Sequence, residues 1–184
     1  MMGTTHAAVG LVLALPVLVL APELAPAAAL GAVAGGIFPD FDLLVGYHRK
    51  TLHFPHYYWV VAVPALLLAA VVPRPLTAAA ALFLVAAAVH SGTDWFGAGV
   101  EPRPWERTSP EAVFVHTRGE WLRPRYWVRY DGAPEDLALT AVLSAPGLFA
   151  FGRLVRRVTV AMLLVALAYT LVRKRLPALE EKFI

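Results

Sequence analysis

This sequence contains six long stretches without a single Asp, Glu, Lys or Arg, and few folds can accommodate them. The stretches cover residues 1–22, 24–39, 51–73, 75–93, 137–152 and 158–172. A helix needs roughly 20 apolar residues to cross a bilayer, with about 17 as the lower limit. Residues 51–73 and 75–93 meet that length. The whole chain is 59% hydrophobic and 16% charged, which excludes a disordered chain and argues against an ordinary soluble domain.

We therefore predict an all-α fold, a polytopic transmembrane bundle of about 5–6 helices forming one domain over residues 1–184. Pro22 and Pro26 turn the chain between the first two helices, because proline breaks helical hydrogen bonding. The last two stretches fit either two short spans or one long broken helix. The predicted spans are 7–21, 27–38, 56–72, 76–93, 137–152 and 157–172.

The predicted helices divide the chain into three parts. Residues 1–94 form the helices that carry the candidate metal site, and residues 137–175 form the C-terminal hydrophobic helices. Residues 95–136 are a polar interfacial segment rich in Arg, Pro, Trp and Tyr. Short helices or a hairpin are both open for it, and the loose alternation of residues 121–130 is the sign of a hairpin. Arginines and aromatic side chains suit an anionic membrane surface, so the bilayer is the expected partner and nucleic acid is not.

Alternation of the spans brings the unusual polar residues to one face of the membrane. That face carries 12 basic residues, with Lys182 among them, and the other face carries 4. Positive residues stay in the cytoplasm. We expect a multi-pass protein of the cell inner membrane with its polar site on the cytoplasmic face.

Histidine and aspartate supply the candidate metal ligands, because the chain has no cysteine. His90 and Asp94 are spaced i, i+4, so they share one helix face and could hold one ion. The alternative is a neutral His90 capped by a nearby carboxylate. Asp40 and Asp42 follow a helix ended by two glycines and a proline. They could bind a divalent ion, or serve as one ligand and one base, or cap the next helix.

Further histidines precede or open the predicted helices. His48, His53 and His56 surround the start of the third span, and imidazole suits zinc and other late first-row metals. Arg49 could bind a phosphate through two hydrogen bonds from its guanidinium group. The alternatives are a cationic pair of His48 and Arg49 near lipid head groups and an aromatic belt around His56. His6 lies at the start of the first helix. The alternative is that it belongs to the capped helix start and has no role as a ligand.

The order of these motifs resembles the YdjM-like family of predicted membrane-bound metal-dependent hydrolases, also classified as a domain of unknown function. The resemblance covers residues 4–100. The family has Thr-His-Ser after His-Arg, whereas this chain inserts Leu52 and lacks the serine, which leaves both His53 and His56 open as the ligand. The matching motifs are Thr5-His6, Gly36-Ile37-Phe38-Pro39-Asp40-Phe41-Asp42, His48-Arg49 with Thr51 and His53, and His90-Ser91-Gly92-Thr93-Asp94.

That family is distantly similar to the all-helical zinc phospholipase C and P1-type nuclease group. The resemblance implies one ion held by Asp40, His53, His90 and Asp94. It implies a second ion held by His6 and a bridging Asp94. Asp42 would be an outer partner or general base. His116 and Glu120 form a further His-x-x-x-Glu, for which a solvated loop pair is the alternative.

The resemblance implies a hydrolase that uses a metal-activated water on a phosphodiester or phospholipid-like ester. Zinc is the expected metal, in one or two ions, with manganese as the alternative. Arg49 would neutralise phosphate charge in the reaction. A non-catalytic metal-binding scaffold or transporter is the main alternative function. Intramembrane proteolysis ranks low, because neither His-Glu-x-x-His nor Gly-x-Ser-x-Gly occurs.

Overall fold

A computed structural model describes residues 1–178 of the chain, so Lys182 lies outside the described residues. Helices dominate the fold. The α-helices are α1 (Gly3–Leu13), α2 (Leu15–Leu20), α3 (Ala25–Ile37), α4 (Tyr57–Val71), α5 (Pro75–Thr93), α6 (Pro134–Leu143), α7 (Ala145–Phe149) and α8 (Arg153–Val172). Short 3-10 turns occupy Phe38–Leu43, Asp94–Phe96, Pro104–Glu106 and Arg173–Arg175.

Within residues 1–178, three helical stretches are long and apolar enough to cross a membrane, judged by length and composition. They are Gly3–Leu20, Pro75–Phe96 and Arg153–Ala178. The α3 helix has 13 residues and α4 has 15, so each spans only about 20–22 Å at 1.5 Å per residue, less than the roughly 30 Å hydrocarbon core. The predicted helices therefore form, but a bundle of 5–6 full crossings is not established by helix length.

Proline and glycine divide the longer hydrophobic runs. Ala14 separates α1 from α2, and Pro16 occupies the first turn of α2, where its missing N–H costs nothing. Pro146 plays the same role at the start of α7. Gly152 precedes α8, which contacts α6. The last two runs are thus separate helices rather than one long broken helix.

The α3 helix lies at the centre, between α1 and α5. Glycine allows the close approach on both sides. A Cβ at Gly31 or Gly35 would clash with backbone atoms of α5, and one at Gly36 would lie 2.6 Å from the His6 carbonyl oxygen on α1. Small residues let helix backbones approach in this way in membrane bundles. The helices that carry the candidate ligands are consequently held by backbone contact.

The all-α prediction needs one correction. Strands β1 (Val113–Val115) and β2 (Glu120–Leu122) form an antiparallel hairpin within the polar segment. It lies earlier than residues 121–130, because the turn uses Gly119 with a positive φ of 68°, a conformation that glycine adopts without strain. The Phe114 N–H donates to the Arg49 carbonyl oxygen at 3.0 Å. This bond attaches the hairpin to the segment before α4.

The outer helices expose apolar surface. In α4 only Ala62 is buried. In α8 one stripe is buried, and the exposed positions include leucine and valine, with Leu164 63% and Leu171 71% exposed. Soluble monomers rarely expose apolar faces of this extent, so these surfaces are typical of contact with lipid.

Candidate metal centre

Four predicted ligands converge at one end of the helices. Asp40 comes from the turn after α3, His53 from the segment before α4, and His90 and Asp94 from the end of α5. One ligand atom from each lies within 4.8 Å of all the others, so the group could hold a metal ion. His53 Nε2 is 3.0 Å from Asp94 Oδ2, and His90 Nε2 is 3.3 Å from Asp40 Oδ1.

The second ring nitrogen of each histidine is already occupied. His90 Nδ1 lies 2.6 Å from the Gly36 carbonyl oxygen, and His53 Nδ1 lies 2.8 Å from Asp42 Oδ2. Both oxygens accept, so each Nδ1 carries a proton and Nε2 is the ring nitrogen that faces the group. The two Nε2 atoms are 3.2 Å apart. Two imidazole nitrogens and two carboxylates that face one another could serve as a metal donor set, and each histidine has an outer partner of the kind that metal-binding histidines use.

Asp42 links the group to a further histidine. It accepts from His53 and, at 2.9 Å, from His48 Nδ1, and the Leu52 N–H also approaches at 3.3 Å. Burial alone would raise the pKa of Asp42, but the hydrogen bonds from His48 and His53 outweigh it and lower the pKa to about 2. Asp42 is therefore ionised and orients two imidazoles, which agrees with its predicted place as an outer partner.

Arg49 connects the polar segment to the group. Its side chain is buried, and Nη1 donates to the carbonyl oxygens of Ala98 and Ala112. Arg49 Nε lies 3.5 Å from Asp94 Oδ2 and has no hydrogen-bond partner among the described residues. Arg49 adopts a positive φ of 60°, which non-glycine residues rarely do outside constrained sites.

His6 lies beside the group but outside the four ligands. Its Nε2 is 3.0 Å from Asp94 Oδ1, and its ring stacks on His90 with 3.7 Å between ring centroids. The amino group of Met1 approaches the same Asp94 oxygen at 3.2 Å. Asp94 thus turns one oxygen toward the four-ligand group and the other toward His6.

The structure does not bring the remaining predicted ligands into the group. His56 Nδ1 pairs with Thr117 Oγ1 at 2.6 Å on the surface, so His53 is the histidine that joins. His116 packs against Phe54, where burial lowers its pKa. Glu120 is exposed on β2 and lies 3.6 Å from Arg118.

A cavity of about 640 Å³ adjoins the centre. Three residues near the centre line it: Asp40, His48 and Arg49. Asp40 is 19% exposed, whereas the other three ligands are at most 1% exposed. Access to the four-ligand group therefore runs through Asp40. The opposite wall comes from α8 and the turn that follows it.

Sequence reasoning missed Asp136, a carboxylate with no exposed surface. It accepts from the Met2 N–H at 2.8 Å, the Thr5 hydroxyl at 2.6 Å and the Gly132 N–H at 3.0 Å. In sequence it reads as an ordinary acidic residue in the first turn of a helix. No local pattern signals that it binds the start of α1, more than 130 residues away.

Comparison with protein-family models, with curated proteins and with solved structures found no match for this chain.

Proposed function

We propose that this protein is a membrane-bound metal-dependent hydrolase acting on a phosphodiester or phospholipid-like ester. The observation that carries the proposal is the four-ligand group whose one partly exposed member, Asp40, lines a cavity of about 640 Å³. A pocket of that volume is in the usual range for small-molecule sites. The resemblance to YdjM-like proteins agrees with this chemistry.

Zinc fits the donor set best. Zinc takes imidazole nitrogen and carboxylate oxygen in a four-ligand shell, as Asp40, His53, His90 and Asp94 could provide. Manganese is the second choice, because it also accepts carboxylates. A bound divalent ion would supply a water of lowered pKa and a polarised phosphoester.

The residues of the chain itself would have three tasks. Asp42 and the Gly36 carbonyl oxygen fix the rings of His53 and His90. Arg49 Nε, which lacks a hydrogen-bond partner among the described residues, would donate to a phosphate oxygen of a substrate in the cavity. His6 and Asp94 would extend the site if a second ion binds.

The proposed location of the protein is the inner membrane of the cell. Five to six membrane crossings with the centre at the cytoplasmic face of a cell inner membrane agree with the distribution of basic residues. Ionisable ligands at helix ends disfavour a transporter, which brings such residues to the middle of the bilayer.

A non-catalytic metal-binding scaffold is the second candidate. It is favoured by the burial of His53, His90 and Asp94 and by a group in which the protein supplies all four ligands, as closed structural zinc sites do.

One experiment tests the hydrolase and separates it from the scaffold. Elemental mass spectrometry of the detergent-purified protein should find one or two equivalents of metal in the wild type and in His56→Ala, and none in His90→Ala or Asp94→Ala. The metal-loaded protein is then assayed on phospholipids in mixed micelles and on nucleotide diesters. Bound metal without hydrolysis would favour the scaffold, and a wild type that takes up no added metal would refute both.

A further inference from the structure

The residues that line the cavity change from apolar to charged along α8 and the turn that follows it. Its wall on this side includes Val165, Tyr169 and Arg173, which are spaced four residues apart and so share one helix face. Val165 is apolar and 60% exposed. Arg173 is held by Asp131, with Nε donating to Oδ2 at 2.7 Å. The cavity is therefore apolar at one end and charged at the other.

The polar end of the cavity coincides with the candidate metal centre. Asp40, His48 and Arg49 line it there. The apolar residues that line the cavity include Ile37 and Leu43 as well as Val165. A ligand that satisfies both ends carries a charged group and an apolar chain in one molecule.

The part of α8 that lines the cavity is nearly as long as half a bilayer is thick. Val165 lies near the middle of Arg153–Ala178, one of the stretches able to cross a membrane, and Arg173 lies near its end. Eight residues of helix separate them, about 12 Å along the axis. Half of the hydrocarbon core is about 15 Å thick, so the lining residues of this helix cover most of the distance that an alkyl chain covers from the bilayer centre toward its surface.

The rim of the cavity is apolar on the lipid-facing side. Leu43 is 65% exposed and Val165 is 60% exposed, and they line the cavity from two different elements, the turn after α3 and α8. Leu164, beside Val165, continues the exposed apolar surface of α8. An opening bordered by exposed apolar residues on a candidate membrane helix admits a ligand sideways from the bilayer rather than from water.

We infer that the cavity takes up, laterally from the bilayer between Leu43 and Val165, an amphiphile with a phosphoester head at Asp40 and an alkyl chain along α8. This inference rests on the proposed function for the chemistry of the head. It adds the route of entry, the orientation of the alkyl chain and two residues that determine specificity, Leu43 and Val165.

The test measures binding, not turnover. The purified full chain in detergent is mixed with dihexadecyl phosphate, a phosphodiester with two alkyl chains, or with diethyl phosphate, which has the same head and no long chain. Native mass spectrometry should detect one dihexadecyl phosphate per chain and at least tenfold less diethyl phosphate at equal concentration. Equal binding of the two probes would overturn the inference.

Two matched pairs of variants locate the opening. Val165→Trp adds bulk to the cavity lining and should lower occupancy by dihexadecyl phosphate at least tenfold. Leu164→Trp, at an exposed residue that is not among the lining residues, should leave it within twofold. Leu43→Trp and its exposed neighbour Leu44→Trp repeat the comparison at the turn after α3, should Val165→Trp fail to fold. Members of a pair that bind alike would overturn the lateral route.

Failure of this inference is distinguishable from failure of the proposed function. Metal-dependent hydrolysis combined with binding that ignores the alkyl chain would remove the inference alone. Chain-dependent binding without hydrolysis of any diester would remove the reaction and leave the lipid site.

Discussion

Asp94 and Asp136 are both buried carboxylates, yet their surroundings differ in kind. Asp136 receives N–H and O–H donors from Met2, Thr5 and Gly132. Asp94 Oδ1 lies near the Met1 amino group and His6 Nε2, and its Oδ2 lies 3.0 Å from His53 Nε2 and 3.5 Å from both His90 Nε2 and Arg49 Nε. Buried polar groups are normally satisfied within the protein. The difference shows that the kind of partner, imidazole and cationic groups rather than backbone and hydroxyl donors, marks the candidate functional site.

The largest effect is expected from Asp94→Asn. It removes the charge of a ligand, so metal affinity should fall by more than the roughly 10–100-fold typical of an outer partner, and the purified protein should contain no metal by elemental mass spectrometry. Metal content is the deciding measurement, because the Met1 amino group and Arg49 also lose an ionic partner in this variant and its stability should fall for that reason alone. A folded variant that keeps its metal would place Asp94 with Asp136 as a structural anchor.

Asp136→Ala should lower the stability of the fold and leave metal binding unchanged. The substitution leaves three buried donors without an acceptor, and each unsatisfied donor costs about 1–3 kcal/mol of stability. The free energy of unfolding should therefore fall by about 3 kcal/mol or more. Denaturant titration followed by circular dichroism measures this loss. Metal content should stay at the wild-type level while the protein is folded, and metal loss in the folded variant would contradict the distinction.

Asp42→Asn should give an intermediate result. The amide weakens the acceptor that fixes the Nδ1 proton of His53, so metal affinity should fall about 10–100-fold while the bound ion is retained at saturating metal. Competition with a zinc chelator measures the change. An affinity equal to that of wild type would show that His53 needs no partner to orient it.

Glu135→Gln should have the smallest effect, although Glu135 precedes Asp136 in the chain. Its carboxylate accepts from Arg129 Nε and Nη2 at 2.8 and 2.9 Å. These hydrogen bonds outweigh burial and lower the pKa of Glu135 to about 2, but solvent screens such surface pairs.

The lowered pKa fixes the sign of the pH dependence. The ion pair stabilises the fold above the ordinary pKa of 4.5, and this contribution is lost as the pH falls toward 2. Melting temperatures of wild type and Glu135→Gln should differ slightly at pH 7 and converge near pH 2. A gap that widens in acid would contradict this assignment.

Sequence patterns were sufficient for most of the helices and for the end of the bundle at which the candidate ligands lie. Uncharged runs located the helices, with α5 at Pro75–Thr93 against a predicted span of 76–93. Alternation of helices also brought Asp40, His53, His90 and Asp94 to one end. These features depend on composition and local spacing, which the sequence records directly.

Contacts between distant segments were beyond the sequence. The choice of His53 over His56 depends on the irregular path before α4, where Arg49 has a positive φ and the Tyr47 N–H bonds the Thr51 hydroxyl. No periodicity encodes that path. The anchoring by Asp136 depends on partners at the opposite end of the chain, and a single acidic residue gives no sign of them.

The glycines of α3 have a consequence for metal selectivity. Gly31 and Gly35 bring α3 against the backbone of α5 with no side chain between them. Asp40 follows α3 and His90 ends α5, so the gap between these two ligands is set by backbone contact and not by side chains that can repack. An ion bound there would be selected by its radius, because a site with such stiff walls could not widen to suit a larger one. The absence of a Cβ atom at Gly35 and Gly31, five and nine residues before Asp40, would thereby influence which metal the protein binds.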